Sequence, residues 1–212
     1  MMHRRLFIAA IVMMALVFAA PAQATSILVL TSGSATSGPI VAVGSGPEIA
    51  TFTGDVGDWS INITSGIAGT GLPIPIGHLD LLSYNYGVAG AAPLTITFTS
   101  DVNMNFLDVF LAIGGTLAPG FTLTYEAFAD GNLAAGLSFP SSPAFSGTIS
   151  GGVDAWVYKL TQQVVITAPQ VGGAAGGTSF DAVLQPVPDA GGTLTLLGVA
   201  MLGLGVWRRR QK

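Results

Sequence analysis

The 212-residue chain has no cysteine, two histidines and seven basic residues, and only 8% of it is charged. Each scarcity excludes something. Without cysteine there is no disulfide framework, no thiolate zinc site and no thiol nucleophile. His3 and His78 are too few for a histidine-built metal centre. The basic residues also avoid the middle of the chain. Arg4 and Arg5 stand at the start, Arg208, Arg209, Arg210 and Lys212 at the end, and Lys159 alone lies between. One lysine cannot neutralise a row of phosphates, so nucleic acid is excluded as a partner. The acids run from Glu48 to Asp189, and the net charge of −4 averages two basic tips with an acidic body.

Half of the residues are apolar, and the ends carry the longest apolar runs. Leu6 to Ala20 is an unbroken stretch of fifteen residues after Arg4 and Arg5, followed by Pro21-Ala22-Gln23-Ala24-Thr25. A positive start, a short apolar core and a small-x-small end are the three parts of a secretory signal peptide. Fifteen residues are short for a stable span, which needs roughly 20. Residues 1–24 are therefore expected to be a signal helix. Signal peptidase would read Ala22 and Ala24 and cut before Thr25.

At the other end, Gln185 to Gly192 is a proline- and glycine-rich break. The apolar run Thr193–Trp207 follows, and Arg208-Arg209-Arg210-Gln211-Lys212 closes the chain. From Ala190 to Trp207 is eighteen residues, within the range of a spanning helix. The arginine cluster stays cytoplasmic by the positive-inside rule, and Trp207 sits where an interfacial aromatic belongs. Body outside and C-terminus inside is the topology on which both tips agree. Gly198, Gly203 and Gly205 make this helix a poor permanent anchor and a good surface for close approach by another membrane protein.

The order of motif, apolar helix and basic stop resembles the PEP-CTERM class of bacterial sorting signals. Val187-Pro188-Asp189-Ala190-Gly191 is similar to the VPDSG-CTERM variant, with Ala190 where that motif has serine. The resemblance covers residues 187–212. It implies an exosortase, a membrane-embedded transpeptidase-like enzyme, as processing partner, a transient stay in the inner membrane, and a host that exports exopolysaccharide. On this reading residues 187–191 are the motif, 192–207 the transmembrane helix and 208–212 the basic tail. Segments Asp58–Gly66, Leu79–Leu81 and Leu94–Thr99 are similar to bodies found ahead of such tails, which carries no activity with it.

The intervening body, residues 25–186, has a period of two. Trp59, Ile61 and Ile63 alternate with Ser60, Asn62 and Thr64; Leu94, Ile96 and Phe98 with Thr95, Thr97 and Thr99; Phe121, Leu123 and Tyr125 with Thr122, Thr124 and Glu126. This is the pattern of half-buried strands. Further strands are expected at 27–30, 40–43, 48–53, 78–86, 107–113, 155–160, 163–168 and 179–184. Turn signals stand at Gly33-Ser34, Gly44 to Pro47, Asp55 to Asp58, Gly114-Gly115, Asp130-Gly131-Asn132, Gly151-Gly152 and Gly172 to Gly177. The expected fold is an all-β antiparallel β-sandwich, jelly-roll or immunoglobulin-like, flanked by the signal helix and the C-terminal transmembrane helix.

Chemistry is sparse in this body. His78 with Asp80 on one strand face is the start of a Ser-His-Asp set, but no G-x-S-x-G turn supplies a nucleophile. Paired carboxylates for glycoside hydrolysis need a spacing that sequence does not reveal. Asp55, Asp58, Asp130 and Asn132 are candidate Ca²⁺ ligands, with turn stabilisation as the competing use. Tyr84, Tyr86, Trp156 and Tyr158 are candidates for a carbohydrate-binding face, with core packing as the competing use. The expectation is a non-catalytic structural or adhesive protein of the cell surface or exopolysaccharide matrix, without a resident cofactor. A secreted carbohydrate-binding module is the alternative, and a secreted hydrolase a more distant one.

Overall fold

The computed structural model describes residues 25–44, 47–69, 78–141, 143–170 and 175–187. The signal segment, Pro188 to Gly191, the apolar run 193–207 and the arginine cluster lie outside the described residues. Among the described residues there is no helix, as the period-two pattern requires. The strands in chain order are β1 (Ser26–Ser32), β2 (Ala35–Thr36), β3 (Ile40–Val41), β4 (Glu48–Val56), β5 (Trp59–Ala68), β6 (Leu79–Gly87), β7 (Leu94–Thr116), β8 (Thr122–Ala129), β9 (Asn132–Phe139), β10 (Phe145–Thr167) and β11 (Gly176–Val187).

All pairings are antiparallel. The order is β4-β5-β6-β11-β7-β10-β8-β9, with β1 joined to β7 and carrying β2 and β3. Two 23-residue strands, β7 and β10, organise this network. They pair from Phe145 opposite Gly115 to Ile166 opposite Leu94, with irregularities at Gly152/Ala155 and Val157/Lys159. On one side of these irregularities β7 pairs with β11; on the other it pairs with β1, and β10 with β8. The long strands therefore pass from one layer, β4-β5-β6-β11-β7-β10, into a second, β1-β7-β10-β8-β9. β-Bulges supply the bend that such a transfer needs.

The core lies between the layers. Leu28, Leu30, Ile96, Phe98, Leu123, Tyr125 and Val164 come from one, and Ile61, Leu81, Leu111, Phe180 and Leu184 from the other, all buried. The layers touch where a Cβ on Gly66 of β5 would stand 2.6 Å from the ring of Phe98 on β7. Trp59 meets Phe121 edge-on at 6.0 Å, and its indole N–H donates to the Ala92 carbonyl at 2.7 Å. Polar groups inside the core are paired with one another. Thr64 bonds Ser83 at 2.7 Å, the Asn85 amide donates to Ser83 at 3.2 Å, and Thr178 donates to Asn85.

Three expectations need correction. Segments 94–99 and 107–113 belong to one strand, as do 155–160 and 163–167, with β10 ending at Thr167. Gly114-Gly115 and Gly151-Gly152 are not turns but lie inside β7 and β10. At Gly115 and Gly151 a Cβ would come within 2.0 Å of the carbonyl oxygens of Ser179 and Ala134. Glycine serves there for close backbone approach rather than for reversal. β9 was not expected, because Asn132 to Phe139 is rich in alanine and glycine and alternates weakly.

Candidate functional site

The outer face of the first layer brings Asp80, Tyr84 and Tyr86 of β6 beside Asp181 of β11. Its centre is β6. Burial alternates along this strand, so Leu79, Leu81, Ser83 and Asn85 enter the core while Asp80, Leu82, Tyr84 and Tyr86 point out. Leu82, Tyr84 and Tyr86 are each 47% exposed. The competing core-packing use of the two tyrosines is thus not realised. Asp181 of β11 pairs with Leu82 on one side and Gly114 of β7 on the other, and Val183 lies between Asp80 and Ala112. Ser179 is opposite Tyr84 and Gly177 opposite Tyr86. The Tyr84 hydroxyl lies 3.4 Å from the place a Gly177 Cβ would take, so the phenol leans across the bare backbone of β11.

Beyond β11 the face sinks into an open trough of about 380 Å³, lined by Ala112, Gly114, Ser146, Thr148, Asp181 and Val183. Small side chains on three successive strands leave this space. Ser146 and Thr148 stand opposite Gly114 and Ala112.

Asp80 and Asp181 are diagonal neighbours on this face, Asp80 opposite Val183 and Asp181 opposite Leu82, with Asp181 at the edge of the trough. Burial, reinforced by the Asp181 charge and by hydrogen bonding toward its carboxyl, pushes Asp80 from 3.8 up to about 6, against a weaker opposing pull from the Leu81 backbone. Its Oδ1 is buried and has no hydrogen-bond partner among the described residues. Burial first, and then the Asp80 charge, raise the Tyr125 phenol, whose hydroxyl donates to the Gln162 side-chain oxygen at 3.1 Å. His78 precedes β6 and shares the alternation of Asp80; burial lowers its pKa. No hydroxyl among the described residues bonds its imidazole, and no bond joins it to Asp80. The start of a nucleophilic triad is not extended there.

The other candidates lie apart. Trp156 and Tyr158 are 53% and 62% exposed, with buried Val157 between them. Trp156 pairs with Asn105 of β7, eleven residues from Thr116, the residue in line with Tyr84. At about 3.3 Å per residue this is roughly 36 Å of strand, so the two aromatic pairs do not form one platform. Asp55 and Asp58 flank the β4–β5 turn, and Asp130 and Asn132 the β8–β9 turn. Gly57 touches Ser32 at one end of β1, whereas Ala129 aligns through Leu160 and Ser100 with Ser26 at the other. The four Ca²⁺ candidates therefore stand at opposite ends of the fold. The Asp130 carboxylate accepts the N–H groups of Lys159 at 2.9 Å and Tyr158 at 3.1 Å. No group of three or more histidine and carboxylate side chains positioned for a metal occurs among the described residues. Of the processing residues, Thr25 accepts the Asp101 N–H through its carbonyl at 3.3 Å. Val187 ends β11 opposite Asp108, 40% exposed.

Residues 186–211 match the family model of the VPDSG-CTERM motif. The chain ends in a VPDSG-CTERM sorting signal. Such a signal implies export to the cell surface, and its match begins on Pro186, one residue before β11 ends. No curated protein matches the chain. Among solved structures it is similar to the carbohydrate-binding module TmCBM61, solved with β-1,4-galactotriose, at 10% identity and a TM-score of 0.35, covering 51% of this chain and 71% of that one. It is also similar to the enzymatically active domain of tailspike protein 4 of bacteriophage CBA120, at 10% identity and a TM-score of 0.40, over 76% of this chain and 19% of that one. The N-terminal cellulose-binding domain of β-1,4-glucanase C from Cellulomonas fimi gives 13% identity and a TM-score of 0.29, over 76% and 90%. At these scores no ligand or activity is transferred to this chain.

Proposed function

We propose that the chain is an exported structural or adhesive protein of the cell surface or exopolysaccharide matrix, with no catalytic site of its own. Signal peptidase removes residues 1–24, the segment 192–207 holds the intermediate in the inner membrane, and an exosortase-like transpeptidase acts near Pro188 to Gly191. The observation that carries this reading is the VPDSG-CTERM match at residues 186–211. The fold is compatible with tail removal. β11 is an interior strand, paired with β6 over Gly176–Leu184 and with β7 over Ser179–Val187, so a cut after Val187 deletes none of the described core. Replacing Pro188 and Asp189 together by alanine tests the reading by membrane fractionation. The precursor is expected to stay in the membrane fraction; unchanged release and size would overturn it.

The β6 face favours a second reading within the first, in which the exported body holds polysaccharide. The carrying observation is the pair of half-exposed tyrosines beside an open trough. Aromatic faces suit the apolar faces of sugar rings, and the Ser146 and Thr148 hydroxyls suit their polar rims. Pulldown on polysaccharides should succeed with the native protein and fail with Tyr84→Ala. Equal retention of the two would remove this reading.

A further inference from the structure

We infer that the bend of β7 and β10 is a membrane-docking surface, on which Leu133, Trp156 and Tyr158 enter the lipid interface while the tail still holds the chain. This rests on the anchored intermediate proposed above and adds how the body sits against the bilayer. Three observations argue for it. The first is where the chain ends emerge. β10 takes one edge of β7, and β1 and β11 share the other, with Val102 to Leu107 between them. β1 begins at this gap, where the Thr25 carbonyl accepts the Asp101 N–H, and β11 ends at it, with Val187 opposite Asp108. Both ends of the body therefore open at the bend. Four residues, 188–191, separate Val187 from the segment 192–207, and four more, 21–24, separate Ala20 from Thr25. Four residues reach at most about 14 Å, so either apolar segment, once in a bilayer, brings the bend to its surface.

The second observation is what the bend displays. Across β7, Thr25 is in line with Lys159 through Asp101, and Val187 with Gly152 through Asp108. Trp156 and Tyr158 lie on β10 between those two rows, both exposed and on the face opposite buried Val157. Two inter-strand gaps, about 10 Å, separate them from the line of the chain ends. The tip of the β8–β9 hairpin is fastened beside them, because Asp130 accepts the N–H groups of Tyr158 and Lys159, and it carries exposed Leu133. Tryptophan and tyrosine, apolar at the ring and polar at the N–H or O–H, suit the level of the lipid headgroups. The long stem of Lys159 lets its ammonium stay in water beside them. The third observation is charge. Residues 25–187 carry ten carboxylates against one ammonium, and Asp101, Asp108 and Asp130 stand around the bend. An anionic bilayer repels such a body, so the attraction is apolar and the surface fits zwitterionic lipid.

The test uses the full chain, made without an exosortase and reconstituted in phosphatidylcholine vesicles that carry a nitroxide quencher near the headgroups. The absence of cysteine allows single fluorophore labels at exposed positions. Asn132→Cys labels the hairpin tip beside Tyr158, and Asp58→Cys labels the β4–β5 turn at the opposite end of the fold. Quenching at position 132 should exceed that at position 58 several-fold. Trp156→Ser combined with Tyr158→Ser should remove the excess, and Tyr158→Ser alone should reduce it. Urea unfolding confirms that each variant is folded, and the single variant decides should the double one not fold. Equal quenching at the two positions, or an excess at position 132 that survives loss of the aromatics, overturns docking while the anchored intermediate stands. Extraction of the native chain from the vesicles by alkaline carbonate overturns the intermediate and docking with it. Loss of polysaccharide retention in the double variant with quenching unchanged assigns the aromatics to a glycan and also overturns docking.

Discussion

Replacing Asp80 by asparagine should stabilise the protein at neutral pH and not in acid. In the folded chain this carboxyl is shifted from 3.8 to about 6, chiefly by burial and then by Asp181. Between about pH 4 and pH 6 the native state keeps a proton that the unfolded chain has already released. Because the native state then binds more protons, its stability falls as pH rises through this window, and the loss is complete above it. For a fully buried group the shift would correspond to about 3 kcal/mol. Asp80 is only half-buried, and solvent screening reduces this to about 1–2 kcal/mol. Asparagine carries no charge, fits the same space and donates to Asp181. Urea denaturation of native protein and variant, followed by Trp59 fluorescence, should give midpoints that coincide below about pH 4 and separate in favour of the variant above pH 6. His78 has the opposite sign, since its lowered pKa costs stability as pH falls below 6.5, but it is common to both proteins and largely cancels. A variant less stable than the native protein at neutral pH, or a gap that is widest in acid, would refute the reasoning.

Trp59→Ala should cost about 3–5 kcal/mol, because the ring is 1% exposed and its N–H bond to Ala92 is lost; the chevron or urea midpoint reads this directly. Gly87→Ala should cost roughly 1–3 kcal/mol, since its Cβ would stand 2.7 Å from the Trp59 ring. The same change in the Trp59→Ala background should cost far less, a coupling that a double-mutant cycle measures. Asp130→Ala should loosen the irregular stretch of β10, because Asp130 has φ +48° and accepts from Tyr158 and Lys159. Amide exchange at those two residues should speed up, with a smaller effect for Asp130→Asn, which tolerates the backbone angle and keeps one acceptor.

The tail was legible because its information is local: motif, apolar run and basic stop follow one another without help from tertiary structure. The outward set on β6 was legible for a similar reason, since Leu79 to Gly87 alternates cleanly and places Tyr84 and Tyr86 on one side. The turn at Asp130 to Asn132 was equally plain. What failed was the reading of glycine pairs as reversals. Gly115 and Gly151 mark places where a neighbouring strand approaches closely, and the same residue type signals both situations. That misreading ended β7 at Ile113 and hid Phe145 to Ser150 of β10, while the breaks expected at 100–106 and 161–162 fall at residues other than glycine and hid the passage of both strands between layers. The Asp80–Asp181 pair was beyond sequence reasoning altogether. The two residues are 101 positions apart, and only the β6–β11 register, Leu82 opposite Asp181, brings them together. The available signal, an acid at an outward position between apolar inward ones, is shared by Glu126 between Tyr125 and Ala127 on β8 and so did not single out the pair.

The central claim, that both ends are addresses removed from an all-β body, is tested most directly by the intact mass of the protein recovered from the cell surface or medium. The account predicts a mass that begins at Thr25 and lacks Trp207 and the arginine cluster, with the new C-terminus falling between Val187 and Gly191. A surface-exposed or secreted species whose mass still includes Arg208 to Lys212 would contradict it.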